Sequence, residues 1–243
     1  MTPVDTPQDA FTPRPRTLRV WDLPTRLFHW VLMLLVFALL VSGQVGGAAM
    51  DWHARFGYAV LALLLFRILW GFVGSYHSRF SHFLPGASRL LEACRDMLRG
   101  QHRWSAGHSP LGALSVVVML LLLFFQASSG LMSDDEIGFS GPLSGKVSGA
   151  LVSFATWYHK AIGKPLLLGF ILLHVVAIVY YRLRHGERLT SAMVHGDKAL
   201  PLIFGEQALV ASLDNGQTRF RALLCLLFSV AVTLSLVRWG LGS

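Results

Sequence analysis

The 243-residue sequence predicts an all-α integral membrane protein: a four-helix transmembrane bundle followed by a fifth transmembrane helix near the C-terminus. Three observations carry that expectation. First, 53% of the residues are hydrophobic and 14% are charged, against about 25% charged in an average soluble domain. Second, five apolar runs each approach the roughly 20 residues that a helix needs to cross hydrocarbon. Third, the basic residues behind the net charge of +8 sit in short segments beside alternate runs. That is an orientation signal rather than a phosphate-binding face, and it argues against a nucleic-acid partner.

Residues 1–25 are polar, hold several prolines with Arg14, Arg16 and Arg19, and read as a loose cytoplasmic tail. The first span is expected at 26–43, with Arg26 and Trp30 as interface anchors. A basic tail, an apolar run and small residues at 46–49 also follow the order of a cleaved signal peptide. The length of the tail, and the loss of His29 on cleavage, favour a retained span. The connection SGQVGGAAMD lacks any lysine or arginine, and the second span follows at 53–74. Connection 75–110 carries Arg79, Arg89, Arg95, Arg99 and Arg103, which places it in the cytoplasm; within it SRLLEACRDMLRG has the spacing of a short surface helix. Pro110 opens the third span, 111–133. The following 133–156 segment is acidic and rich in glycine and serine, with Lys146 its only basic residue, and belongs outside.

The fourth span, 157–182, leads into a cytoplasmic stretch with Arg182, Arg184, Arg188 and Lys198, and a fifth at 219–238 ends outside. The expected organisation is a tail (1–25), a four-helix unit (26–200) and a C-terminal segment with the fifth span (201–243), N-terminus in and C-terminus out. No repeat, P-loop, GxGxxG or HExxH motif occurs, which removes the usual marks of a nucleotide-driven pump or zinc protease. Cys94 and Cys225 form neither CxxC nor CxxCH, so cysteine-held clusters and covalent haem lack their ligands.

The fourth span concentrates the chemistry. His159 and His174 lie 15 residues apart, which sets them about 60° apart around a helix and about 22 Å along it. Histidine inside a span is costly and by default functional, and neutral imidazole is the commonest metal ligand. Topology supplies partners at matching depth: His53 at the outer end of span two for His159, and His29 at the inner end of span one for His174. Two histidine pairs at two depths are expected to hold two non-covalent haems, and imidazoles on both axial positions leave such a centre to electron transfer. His108, beside span three, is a rival inner ligand; His77, His82, His102, His185 and His195 fall in or beside the basic connections.

The segments VWDLPTRLFHW, WHARFGYAVLALLLFRILWGFVGSYHSRFSHF, GHSPLGAL, DDEIGFSGPLSG, WYHKAIG and LLHVVA, in that order over about 20–200, resemble the prokaryotic cytochrome b561 family and the b-type cytochrome subunits of nickel-iron hydrogenases and formate dehydrogenases. The resemblance implies that His29, His53, His159 and His174 match the family's four axial ligands to two haems b. It also implies a bacterial inner-membrane protein that carries electrons between a membrane quinone and a redox partner. Ser109 departs from the more usual asparagine of the GHNPLG form.

Arg67 follows His53 by 14 residues, on nearly the same face and about 21 Å deeper, and is expected either to pair with an inner haem propionate or to snorkel to the surface. Arg55 and Lys164 are placed for the outer propionates, while Gly57, Gly163 and Gly169 could admit the flat macrocycle or serve helix packing. Asp51, Asp134, Asp135 and Glu136 make the outer face acidic, suited to a basic periplasmic partner such as a c-type cytochrome. The function expected is di-haem electron transfer with possible quinol:cytochrome oxidoreductase activity. The alternatives are a membrane anchor for a larger oxidoreductase of hydrogenase or formate dehydrogenase type and, from a different class, a non-redox transporter whose histidines relay protons.

Overall fold

The structure is a computed structural model and describes residues 17–101, 103–200 and 209–242. Among these residues five helices are long and apolar enough to cross a membrane, and the chain is a multi-pass membrane protein. Helix α1 (Leu23–Val45) starts where the Asp22 carboxylate accepts the Thr25 backbone N–H at 2.7 Å, with Pro24 in the first turn. The chain reverses through Gly46 and Gly47, both at positive φ (65° and 54°), where glycine bears no Cβ strain.

Helix α2 (Ala49–Val73) then returns through the centre of the molecule. It is the most buried of the five spans because it packs against α1, α5 (Pro110–Met132) and α9 (Gly216–Leu241) together. Its Val60 and Leu64 join Leu123 of α5 in one apolar cluster; its Phe66 and Trp70 join Phe28 of α1 and Ala222 of α9 in another. Large apolar residues such as Phe37, Phe72, Leu172 and Phe228 stay exposed, which is what lipid-facing positions require. Ser109 Oγ accepts the Gly112 N–H at 3.2 Å to start α5. Serine and asparagine cap helices about equally well, so the departure at Ser109 preserves this turn.

The fourth span differs from its expected bounds. Helix runs continuously over Gly149–His185, 37 residues, as α6 (Gly149–Trp157), a π-helical turn (Tyr158–Gly163) and α7 (Lys164–His185). At that length it extends about 55 Å, beyond the roughly 30 Å of hydrocarbon. Glycines and serines made 149–156 read as loop, but Ser148 caps the helix by accepting the Leu151 N–H, and the apolar residues that follow propagate it.

The end of the bundle with the basic connections, called here the basic end, is more ordered than expected. Strand β1 (Thr17–Arg19) pairs antiparallel with β2 (Asp197–Ala199), so residues 17–25 are built into the fold rather than part of a loose tail. The cause is apolar burial: Leu18, Val20 and Trp21 pack on Ala192 of α8 (Leu189–His195). Residues 1–16, with Arg14 and Arg16, lie outside the described residues, as does His102. Asp214, its side chain 5% exposed, meets Arg19 (3.1 Å), Arg26 (3.7 Å) and Arg219 (2.9 Å). Arg26 also donates to Val194 O at 2.6 Å and Trp30 Nε1 to Met193 O at 3.2 Å, so both expected interface anchors hold the chain's own cap. The connection after α2 forms α3 (Phe80–Phe83) and the expected surface helix, α4 (Ala87–Leu98).

At the acidic end, a tight loop over 133–148 is closed by α9. A Cβ on Gly240 would lie 2.5 Å from Pro142 O, so only glycine lets the fifth helix approach so closely.

Candidate haem centres

Four histidines meet as two pairs. His29 of α1 and His174 of α7 face each other with ring centroids 6.5 Å apart and planes at 52°. His53 of α2 and His159 of the π turn do the same toward the acidic end, at 6.1 Å and 81°. Two imidazole nitrogens on opposite sides of one metal, each about 2 Å from it, hold their ring centroids about 6.3 Å apart. Both observed separations straddle that value, and His29 Nδ1 is buried without a hydrogen-bond partner. Among the described residues no three His, Cys, Asp or Glu come together, so neither pair is part of a larger metal cage. The residues present therefore fit a haem iron at each level.

The pair at the acidic end is oriented by its neighbours. His53 Nδ1 lies 3.1 Å from Leu39 O, and His159 Nδ1 lies 2.9 Å from Gln126 O. A carbonyl can only accept, so each Nδ1 carries the proton and each Nε2 presents its lone pair. Ser42 and Ser129 hydroxyls stand beside the same nitrogens at 3.3 and 3.2 Å. Within the π turn, Gln126 Nε2 donates to the His159 carbonyl at 3.0 Å. Single-turn π bulges recur at functional sites because they redirect one side chain without ending the helix.

Glycines make room for these rings. A Cβ on Gly43 would fall 3.1 Å from His53 Cε1, and one on Gly130 would fall 3.0 Å from His159 Cε1. Neither glycine was singled out from sequence, nor was Gln126, although a glutamine inside LLLLFFQASSG is a costly residue that signals function. Of the glycines that were, Gly163 packs too tightly against Gln126 and Tyr158 to admit a macrocycle, because α5 crosses there. Gly57 and Gly169 leave open space where a Cβ would go.

Arg67 is 3% exposed and does not snorkel. It donates to Ser78 O at 3.2 Å and lies over the rings of Phe80 (5.2 Å) and Phe83 (5.6 Å). Asp22, fully buried, balances its charge through the same cluster: Asp22 accepts from Ser75 Oγ, Ser78 Oγ (2.9 Å) and Trp70 Nε1 (3.4 Å). Arg55 is exposed with its guanidinium 4.9 Å from the Trp52 ring, and Lys164 is exposed at the start of α7. His108 is enclosed between Trp21 (4.7 Å) and Phe83 (4.8 Å), and burial above all pushes its pKa down to about 3. His77 lies 2.9 Å from Val210 O, and His82 stacks on Tyr76.

Residues 20–196 match the family model described as prokaryotic cytochrome b561. The chain is 29% identical over 216 residues to a protein of Azotobacter vinelandii, covering 73% of this chain and 86% of that one. It is 28% identical to one from Cupriavidus necator, over 73% and 85%, and 25% identical to one from Bradyrhizobium diazoefficiens, over 75% and 86%. All three bear the name "Probable Ni/Fe-hydrogenase B-type cytochrome subunit". The chain is a membrane electron-transfer cytochrome of the b type, the class that carries haem b, and belongs to the prokaryotic cytochrome b561 family.

Proposed function

We propose that this cytochrome holds two non-covalent haems b, the inner on His29 and His174 and the outer on His53 and His159. Electrons pass through them between a quinone in the membrane and an oxidoreductase partner at the acidic face. The observation that carries the reading is the pair of imidazole separations, 6.5 and 6.1 Å, at opposite ends of one bundle. Haem iron with both axial positions filled exchanges single electrons and offers no position to substrate.

The chain's own residues prepare these sites before any electron moves. The carbonyls of Leu39 and Gln126 hold the His53 and His159 protons on Nδ1, which fixes ring orientation and raises ligand basicity. Arg67 supplies a buried positive charge for an inner propionate, with Asp22 as its counterweight, while Arg55 and Lys164 serve the outer one. The positive-inside bias supports a cytoplasmic basic end and N-terminus, with the acidic end and C-terminus in the periplasm of a bacterial inner membrane.

The relatives' names favour a hydrogenase as the partner, with this chain as its membrane subunit. A soluble, basic c-type cytochrome is the second reading, favoured by the exposed Glu136 and its acidic neighbours at that face. In proteoliposomes, quinol should reduce both haems, and Arg67→Gln should shift the potential of the inner haem alone. Haems that quinol leaves oxidised would contradict the proposal. A detergent-stable complex with hydrogenase subunits would select the first partner; electron transfer that slows with ionic strength and needs no such complex would select the second.

A further inference from the structure

Where α7 ends, Gly186 adopts positive φ (67°) and turns the chain into α8, and the two helices enclose a groove of about 500 Å³. Its lining divides by chemistry. Ile178, Val179 and Leu183 form an apolar wall continuous with the exposed Val175 and Val176 one to two turns deeper in the span. Arg182, Arg188 and Ser191 form the rim at the basic end. Both arginines are exposed, and among the described residues neither forms an ion pair or a side-chain hydrogen bond. The groove's acid, Glu187, has its charge balanced by Lys198 at 2.7 Å, with side-chain exposures of 10% and 8%.

The geometry points to a binding site for one anionic phospholipid, its phosphate on Arg182 and Arg188 and an acyl chain along Ile178, Val179 and Leu183. Arginine binds phosphate through a planar fork of donors, and basic pockets beside spans at the cytoplasmic surface recognise anionic headgroups. A free phosphate could use the rim but not the wall. The apolar wall opens sideways to where lipid lies, so the ligand is drawn from the bilayer and not from solution. The site is independent of the haems and of the redox partner.

The test is binding of a fluorescent phosphatidylglycerol to the haem-loaded full chain in mixed micelles, with phosphatidylcholine and inorganic phosphate as competitors. Two arginines at a membrane surface give phosphatidylglycerol an advantage over phosphatidylcholine of about 30-fold. Arg182→Gln with Arg188→Gln should erase that preference at unchanged haem content, and Leu183→Glu, which places a carboxylate in the acyl wall, should weaken binding on its own. Inorganic phosphate should not displace the lipid. Equal affinity for the two lipids, or a preference that survives the arginine substitutions, would overturn the site. So would displacement by inorganic phosphate, which would reduce it to an anion rim, or by a soluble quinone analogue at matched concentration, which would make it a quinone pocket.

Discussion

Replacing Gly130 by alanine tests whether the outer imidazole is held by its packing. The added Cβ would sit 3.0 Å from His159 Cε1 and 3.3 Å from Nδ1. Carbon contacts settle at about 3.5–4.0 Å, so the ring must retreat by about 0.5 Å, while metal–ligand distances tolerate about 0.2 Å. Retreat also stretches the 2.9 Å contact between Nδ1 and Gln126 O. Loss of that bond costs about 1–3 kcal/mol, equivalent to roughly 5- to 150-fold in affinity for the outer haem. Haem content by pyridine haemochrome, with redox titration of each centre, reads the effect. Gly130→Ala should lower outer-haem occupancy and leave the inner haem at its wild-type potential. Gly169→Ala is a second probe: its Cβ meets no protein atom within 4 Å, so any haem effect there reports contact with the macrocycle. An outer haem that keeps its occupancy and potential in Gly130→Ala would refute the claim that glycine there makes room for a ligating ring.

Removing ligands should respect the pairs: His53→Ala or His159→Ala abolishes the outer haem, His29→Ala or His174→Ala the inner, and the double variant within a pair loses no more than either single, read by reduced-minus-oxidised spectra. Should His29→Ala keep both haems, His108 becomes the inner ligand. In the acidic loop, Asp135 Oδ1 accepts the N–H groups of Ile137 (3.0 Å), Gly138 (2.9 Å) and Phe139 (2.8 Å), and these hold its pKa down to about 2. A depressed carboxylate pKa stabilises above the unfolded value near 4 and is lost as pH falls toward 2, so amide protection at 137–139 should be flat from pH 7 to 5 and decline below about 4. Asp135 thus shapes the loop, and partner docking is better probed at the exposed Glu136: Glu136→Gln should slow electron exchange with a basic partner at low salt and leave it unchanged at high salt. Asp22→Ala strands several buried donors and the Arg67 charge, and should destabilise the bundle by about 3 kcal/mol or more in denaturant titration.

The spans were legible because each is a long apolar run bounded by charge of consistent sign; the first and fifth helices begin three residues before the expected 26 and 219, where Asp22 and Asn215 cap them from outside the apolar runs. The histidine pairing followed from helix rise and loop charge alone. What stayed hidden depends on residues distant in sequence. Arg19 reaches Asp197 across 178 positions, and no local pattern marks 17–19 and 197–199 as strand partners. The π turn is likewise invisible, since its extra residue matters only because Gln126, 33 positions away, takes up the His159 carbonyl. Gly43 and Gly130 resemble ordinary small packing residues until the opposing imidazoles are in place. Of the two fates expected for Arg67, snorkelling is excluded by its burial against Ser78 and two rings, a surrounding formed by the folded connection after α2.

The central claim is two haem irons, each between two imidazoles of one chain. Low-temperature electron paramagnetic resonance of the oxidised, purified protein, quantified against haem and protein concentration, tests it most directly. The account predicts two low-spin ferric signals in equal amounts, about two haems per chain, each pair of histidine substitutions removing one signal. One haem per chain, or a high-spin ferric signal from an iron lacking its sixth ligand, would contradict it.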